Sequence, residues 1–202
     1  MSGNTTVCQN APPPNITFTG ILGTPPYTFT YTVNGGGNQT VTTNTHTATV
    51  AVPTGTVGTF TYNIVGVQGE NCYQSQTLSP ITVNVNPLPT ATISGTANVC
   101  QNATSPVITI TGANGTAPYT FVYKINAGAN QTIVSVGNTA TINAPTNAVG
   151  VFNYTLVSVT SSGSPACSQN QSGTATITVS APPAPFIITP ASATICSGTV
   201  QP

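Results

Sequence analysis

The 202-residue chain is nearly devoid of charge: one Lys or Arg, one Asp or Glu, and one His. These are Lys124, Glu70 and His46, so Arg and Asp do not occur at all. A single lysine cannot neutralise the phosphates that a nucleic-acid surface must engage. A single carboxylate cannot build the oxygen cage of a calcium site. Catalysis is equally short of parts, since His46 is the only plausible base and no aspartate exists to orient it. There is no Trp. No Cys-x-x-Cys pair occurs, and one histidine leaves no zinc set. Neither a signal peptide nor a membrane-spanning apolar run can be found. The sequence therefore predicts no catalytic residue, metal, cofactor, nucleic-acid partner or membrane insertion. Solubility must rest on Thr, Asn, Ser, Gln and backbone amides instead of net charge.

What the chain does have is a sentence written twice. Pro26-Tyr27-Thr28-Phe29-Thr30-Tyr31-Thr32-Val33-Asn34 returns 92 positions later as Pro118-Tyr119-Thr120-Phe121-Val122-Tyr123-Lys124-Ile125-Asn126 (118 − 26 = 92). Tyr27, Phe29, Tyr31 and Val33 alternate with polar residues, as do Tyr119, Phe121, Tyr123 and Ile125, which is the period of a strand with one buried face. Gly-, Ala- and Asn-rich turns follow both copies, at residues 35–38 and 127–130, where positive φ is tolerated.

Other segments recur in register. Val7-Cys8-Gln9-Asn10 matches Val99-Cys100-Gln101-Asn102, residues 47–53 match 139–145, and residues 58–64 match 150–156. Proline spacers close the copies, Asn86-Pro87-Leu88-Pro89 in one and residues 181–185 in the other, and such segments favour extended geometry. About seven short strands per unit, with turn signals and no helical period, predict an all-β fold: tandem Ig-like Greek-key β-sandwiches. The expected units are residues 1–86, with the first strand truncated, residues 87–183, and residues 184–202 as the start of a third repeat. Met1 falls opposite Ile93, inside the second repeat, which suggests an imposed start within a longer chain.

Cysteines stand at Cys8, Cys72, Cys100, Cys167 and Cys196. With two per repeat, 64 and 67 positions apart (72 − 8; 167 − 100), they predict one structural disulfide per sandwich, Cys8–Cys72 and Cys100–Cys167, formed in an oxidising compartment. Closing such loops would stabilise each unit by roughly 4 kcal/mol on the chain-entropy argument. Cys196, first cysteine of the incomplete third repeat, is left unpaired.

The 92-residue offset also controls for function. His46 matches Asn138 and Lys124 matches Thr32, while Glu70 sits in a loop of unequal length with no acidic counterpart. Such variation reads as solvated surface. The alternating aromatics read as core rather than as a sugar-stacking platform. The threonine rows (Thr28, Thr30, Thr32 and Thr45, Thr47, Thr49) read as solvent-facing strand positions. Asn-x-Ser/Thr triplets at Asn4, Asn15, Asn38, Asn102, Asn114, Asn130, Asn153 and Asn170 are expected by chance in so Asn- and Thr-rich a chain, and a bacterial source would leave them bare.

The combination of Val-Cys-Gln-Asn, Pro-Tyr-Thr-Phe, Asn-Gln-Thr, Phe-x-Tyr and a late Cys resembles the PKD-like or Ig-like repeats of giant surface proteins of gliding Bacteroidota, among them gliding-motility adhesins exported by type IX secretion. The resemblance covers both complete repeats. It implies an extracellular, cell-surface filament whose partners are neighbouring repeats or head-to-tail copies, with an outside surface or a glycan as its contact. The alternative is a carbohydrate-binding module of a secreted multidomain protein. The strand-like tail Phe186-Ile187-Ile188-Thr189, and an edge of the first repeat lacking the equivalent of Thr90-Ala91-Thr92-Ile93, predict head-to-tail pairing of chains.

Overall fold

The structure is a computed structural model that describes residues 1–70 and 72–186. The tail strand and Cys196 therefore lie outside the described residues, apart from Phe186.

The first repeat runs β1 (Thr5–Cys8), β2 (Asn15–Thr19), β3 (Tyr27–Val33), β4 (Gln39–Thr43), β5 (Thr47–Ala51), β6 (Gly58–Gln68), β7 (Tyr73–Ser75) and β8 (Ile81–Asn86). The second runs β9 (Thr90–Ser94), β10 (Ala97–Cys100), β11 (Val107–Ala113), β12 (Tyr119–Ile125), β13 (Gln131–Val134), β14 (Thr139–Asn143), β15 (Gly150–Ser161), β16 (Ser168–Asn170) and β17 (Thr174–Ser180). Each repeat is an Ig-like sandwich of two sheets. The larger sheet has the order β1-β8-β6-β3-β4 with β7 on β6, and in the second repeat β10-β17-β15-β12-β13 with β16 on β15. The smaller one is β2-β5 in the first repeat and β14-β11-β9 in the second. The cysteine-bearing strands β1 and β10 join parallel to β8 and β17, against the antiparallel trend elsewhere.

The alternation in β3 and β12 is met by burial of Tyr27, Phe29 and Tyr31, and of Tyr119, Phe121 and Tyr123. Removing one such ring from water stabilises the fold by roughly 2–3 kcal/mol. The rings also pack on one another, with centroids 6.1 Å apart for Tyr27–Phe29 and 6.0 Å for Tyr119–Phe121. The two cores share no residue: one gathers Ile16, Phe18 and Val83 around β3, the other Ile108, Ile110 and Ile177 around β12. At Gly112 the ring of Tyr119 lies so close that an added Cβ would sit 2.6 Å from it, so the tyrosine requires a glycine there. In the first hairpin Asn34 and Gly35 both have positive φ, 51° and 71°, which lets the turn match the strand twist. The outward threonines face one another as hydroxyl pairs, Thr28 to Thr42 at 2.9 Å and Thr155 to Thr174 at 3.1 Å. These take the place that ion pairs hold on ordinary sheets.

The predicted disulfides do not form. Cys8 is bonded to Cys167, Cα–Cα 5.6 Å, while Cys72 and Cys100 are free and exposed. The reason lies in β6 and β15. Cys8 sits level with Asn86 on β8, next to the Gly58 end of β6. Cys72 follows the other end of β6, where Gln68 pairs with Tyr73. Ten residues of strand (68 − 58) separate these levels, roughly 30 Å. β15 likewise sets Cys167 about 30 Å from Cys100. Each sandwich thus carries one cysteine at each end, and only cysteines of adjacent ends can meet.

Candidate functional site

The joint between the sandwiches is built by the residues that sequence reasoning assigned to separate units. The chain leaves β8 at Asn86, crosses Pro87-Leu88-Pro89 and enters β9 without a helix or long loop between. Proline rings withhold ladder donors here, so the segment stays extended and short. β9 then lies against β11, Ala91 opposite Gly112 and Ile93 opposite Ile110. Ala91 is buried in the second core and Ile93 packs on it.

Gln171 locks the start of β9. Its Oε1 accepts from the Ala91 N–H at 3.0 Å, and its Nε2 donates to the Pro89 carbonyl at 3.5 Å. Asn114 Nδ2 donates to Thr90 Oγ1 at 3.1 Å. The loop that carries Asn114 is braced from beneath by Tyr119, whose hydroxyl donates to the Gly115 carbonyl at 2.7 Å and accepts from the Gly115 N–H at 3.1 Å. Ser162 Oγ donates to the Ala117 carbonyl at 2.7 Å. Cys167 is 1% exposed and its carbonyl accepts from the Ser161 N–H at 2.9 Å. Its partner Cys8 is half-buried, so the Cys8–Cys167 bond has one sheltered end and one nearer the solvent.

At the far end of the first sandwich a groove of about 750 Å³ opens, with Phe18, Tyr27, Ile64 and Val67 inside and Leu22 and Cys72 among its lining. Ile21 and Leu22 beside it are 77% and 95% exposed. The Tyr27 hydroxyl is buried and has no hydrogen-bond partner among the described residues.

The three charged side chains are not brought together as a catalytic set. His46 is exposed and its ring lies 5.7 Å from that of Tyr27. Glu70 accepts from Thr24 Oγ1 at 3.3 Å at the groove. Lys124 is in the other sandwich, paired in β12 with Thr155. Among the described residues no cluster of three His, Cys, Asp or Glu side chains could hold a metal ion, and no helix is long and apolar enough to cross a membrane. Sequence reasoning singled out Cys8 and Cys167 but missed Gln171, whose signal was its place four residues after the second cysteine, matched by Gln76 after Cys72.

No protein-family model matches the chain, and no curated protein matches it. Among solved structures it is similar to a Ca²⁺-stabilized adhesin that helps an Antarctic bacterium reach out and bind ice, with 17% identity, TM-score 0.47, 88% of this chain and 46% of that one. It is similar to the fibronectin(III)-like modules of CbhA from Clostridium thermocellum, with 16% identity, TM-score 0.33, 89% of this chain and 90% of that one. It is also similar to invasin, a bacterial integrin-binding protein, with 15% identity, TM-score 0.35, 91% of this chain and 39% of that one. The chain thus spans less than half the length of the ice-binding adhesin and invasin structures, and these likenesses concern the β-sandwich fold.

Proposed function

We propose that the chain is a stalk segment of an extracellular surface adhesin, in which sandwiches set end to end give reach and carry force between a cell and what it holds. The observation that carries this reading is the Cys8–Cys167 bond, which spans the joint and makes it covalent. With that bond closed, tension applied outside residues 8 and 167 bypasses everything between them. A disulfide so placed belongs to an oxidising compartment outside the cytosol. The near absence of charge suits a spacer as well, because its stiffness then does not depend on salt. The motifs that resemble those of gliding-motility adhesins support reading it as a segment of such an adhesin, exported by type IX secretion, with neighbouring repeats as its direct partners.

The carbohydrate-binding alternative loses its best feature, since the rings of β3 and β12 are in the cores. An antibody raised against residues 1–202 tests the proposal. It should label intact, unpermeabilised cells of the source organism and lower their attachment and spreading. Labelling only after permeabilisation would contradict it.

A further inference from the structure

The joint has two halves, and among the described residues each half recurs once more without its partner. We infer that a second copy of this chain docks at the groove of the first sandwich, adding a β-strand there and closing a Cys100–Cys72 disulfide. This rests on the stalk reading only in taking the sandwiches as units set end to end.

The receiving half is matched residue by residue. Phe18, Thr19, Gly20 and Ile21 stand 92 positions before Ile110, Thr111, Gly112 and Ala113, the residues of β11 and its end that pair with β9. Among the described residues only the Ser2–Thr17 bridge takes up that edge of the first sandwich, the counterpart of Ser94 opposite Thr109. An edge with unmet backbone groups beside an apolar groove is what strand addition fills. Gln76 repeats the setting of Gln171: its N–H donates to Val65 at 2.9 Å, as that of Gln171 does to Val157 at 2.8 Å. Its side chain lines the groove, placed to bond an incoming strand as Gln171 bonds Ala91. The Tyr27 hydroxyl lacks the partners that Tyr119 finds in Gly115, within a loop against which Pro89 packs. Cys72 repeats Cys167, since the Gly69 N–H donates to its carbonyl at 2.9 Å as the Ser161 N–H does to that of Cys167.

The donating half is equally matched. Cys100 ends β10 beside Ser180 as Cys8 ends β1 beside Asn86. The Ala11 N–H donates to the Cys8 carbonyl at 3.1 Å, and the Ala103 N–H to that of Cys100 at 3.1 Å. The strand comes from the same copy. Pro185 precedes Cys196 by eleven positions, as Pro89 precedes Cys100 (196 − 185; 100 − 89), which sets Phe186-Ile187-Ile188-Thr189 in the place of Thr90-Ala91-Thr92-Ile93.

The bond requires a disulfide oxidant, such as oxidised glutathione. The Cys72 thiolate attacks it, forming a mixed disulfide and releasing one glutathione thiolate. The Cys100 thiolate of the second copy then displaces the other. Two protein thiols lose two protons and two electrons, and one oxidised glutathione becomes two reduced molecules.

The test adds oxidised glutathione to the folded chain of residues 1–202 over a concentration series, followed by non-reducing electrophoresis and mass-spectrometric disulfide mapping. The expected result is a ladder of multimers linked by Cys72–Cys100, retained in Cys196→Ser. Cys72→Ser and Cys100→Ser should each abolish the ladder, and a mixture of the two should stop at a dimer. Deleting residues 186–202 should slow the ladder at least tenfold relative to Cys196→Ser. Chains that stay monomeric, like-with-like bridges (Cys72–Cys72 or Cys100–Cys100) in comparable yield, or a deletion without effect would overturn the inference. In each of those cases an intact Cys8–Cys167 bond leaves the stalk reading standing, whereas its absence from the map would remove that reading too.

Discussion

The side-chain amide of Gln171 holds the backbone of Ala91 at 3.0 Å across 80 positions of sequence, joining the loop after β16 to the start of β9, the first strand beyond the joint. Gln171→Leu keeps the volume but leaves the Ala91 N–H, part-buried, without an acceptor. Such a loss costs about 1–3 kcal/mol. Amide exchange at Ala91 should accelerate roughly 10- to 100-fold, while the first sandwich is unchanged. Unaltered exchange at Ala91 would show that the strand is held by its ladder with β11 alone.

Tyr27 and Tyr119 occupy the same place in the two repeats, yet only one hydroxyl has partners. Tyr119→Phe removes both bonds to Gly115 and should destabilise the second sandwich by about 1–2 kcal/mol. Tyr27→Phe removes a buried hydroxyl with no partner and should be neutral or stabilising in the isolated chain. Chemical denaturation of both variants decides the matter, and equal losses would contradict it.

The all-β fold and the buried face of each aromatic strand were legible from period and composition. The disulfide pairing was not. Residues 58–64 alternate cleanly and predict a strand of ordinary length, but β6 continues through Val65-Gly66-Val67-Gln68, past a register shift opposite Thr30 and Tyr31. That extension carries Cys72 to the far end of the sandwich, and no local pattern announces it. Counting cysteines by repeat suggested bonds within repeats. Only the length of β6 and β15 shows that adjacent ends must pair instead. The short strands β7 and β16 escaped for a related reason, being three residues each and too brief to show a period.

Stability should hardly respond to pH until the tyrosines titrate. Burial pushes the Tyr62, Tyr123 and Tyr154 phenols up, with Tyr31 adding to the first and Tyr123 to the last. Their folded values lie above the unfolded value of about 10. Their contribution is therefore fully present below that pH and is lost as pH rises through the folded values. Thermal midpoints followed by circular dichroism should stay within about 2 °C from pH 5 to 9 and fall above pH 10. A marked slope in the neutral range would reveal a coupled group elsewhere.

The central claim is that the Cys8–Cys167 bond turns two sandwiches into one covalent load path, and pulling on single chains by their termini tests it most directly. In the oxidised chain the residues between 8 and 167 are sequestered, so no step of repeat length should occur before the tether breaks. After reduction, two steps should follow, each releasing about 30 nm for some 90 residues at 3.3–3.6 Å apiece. Two repeat-length steps in the oxidised chain would contradict the account.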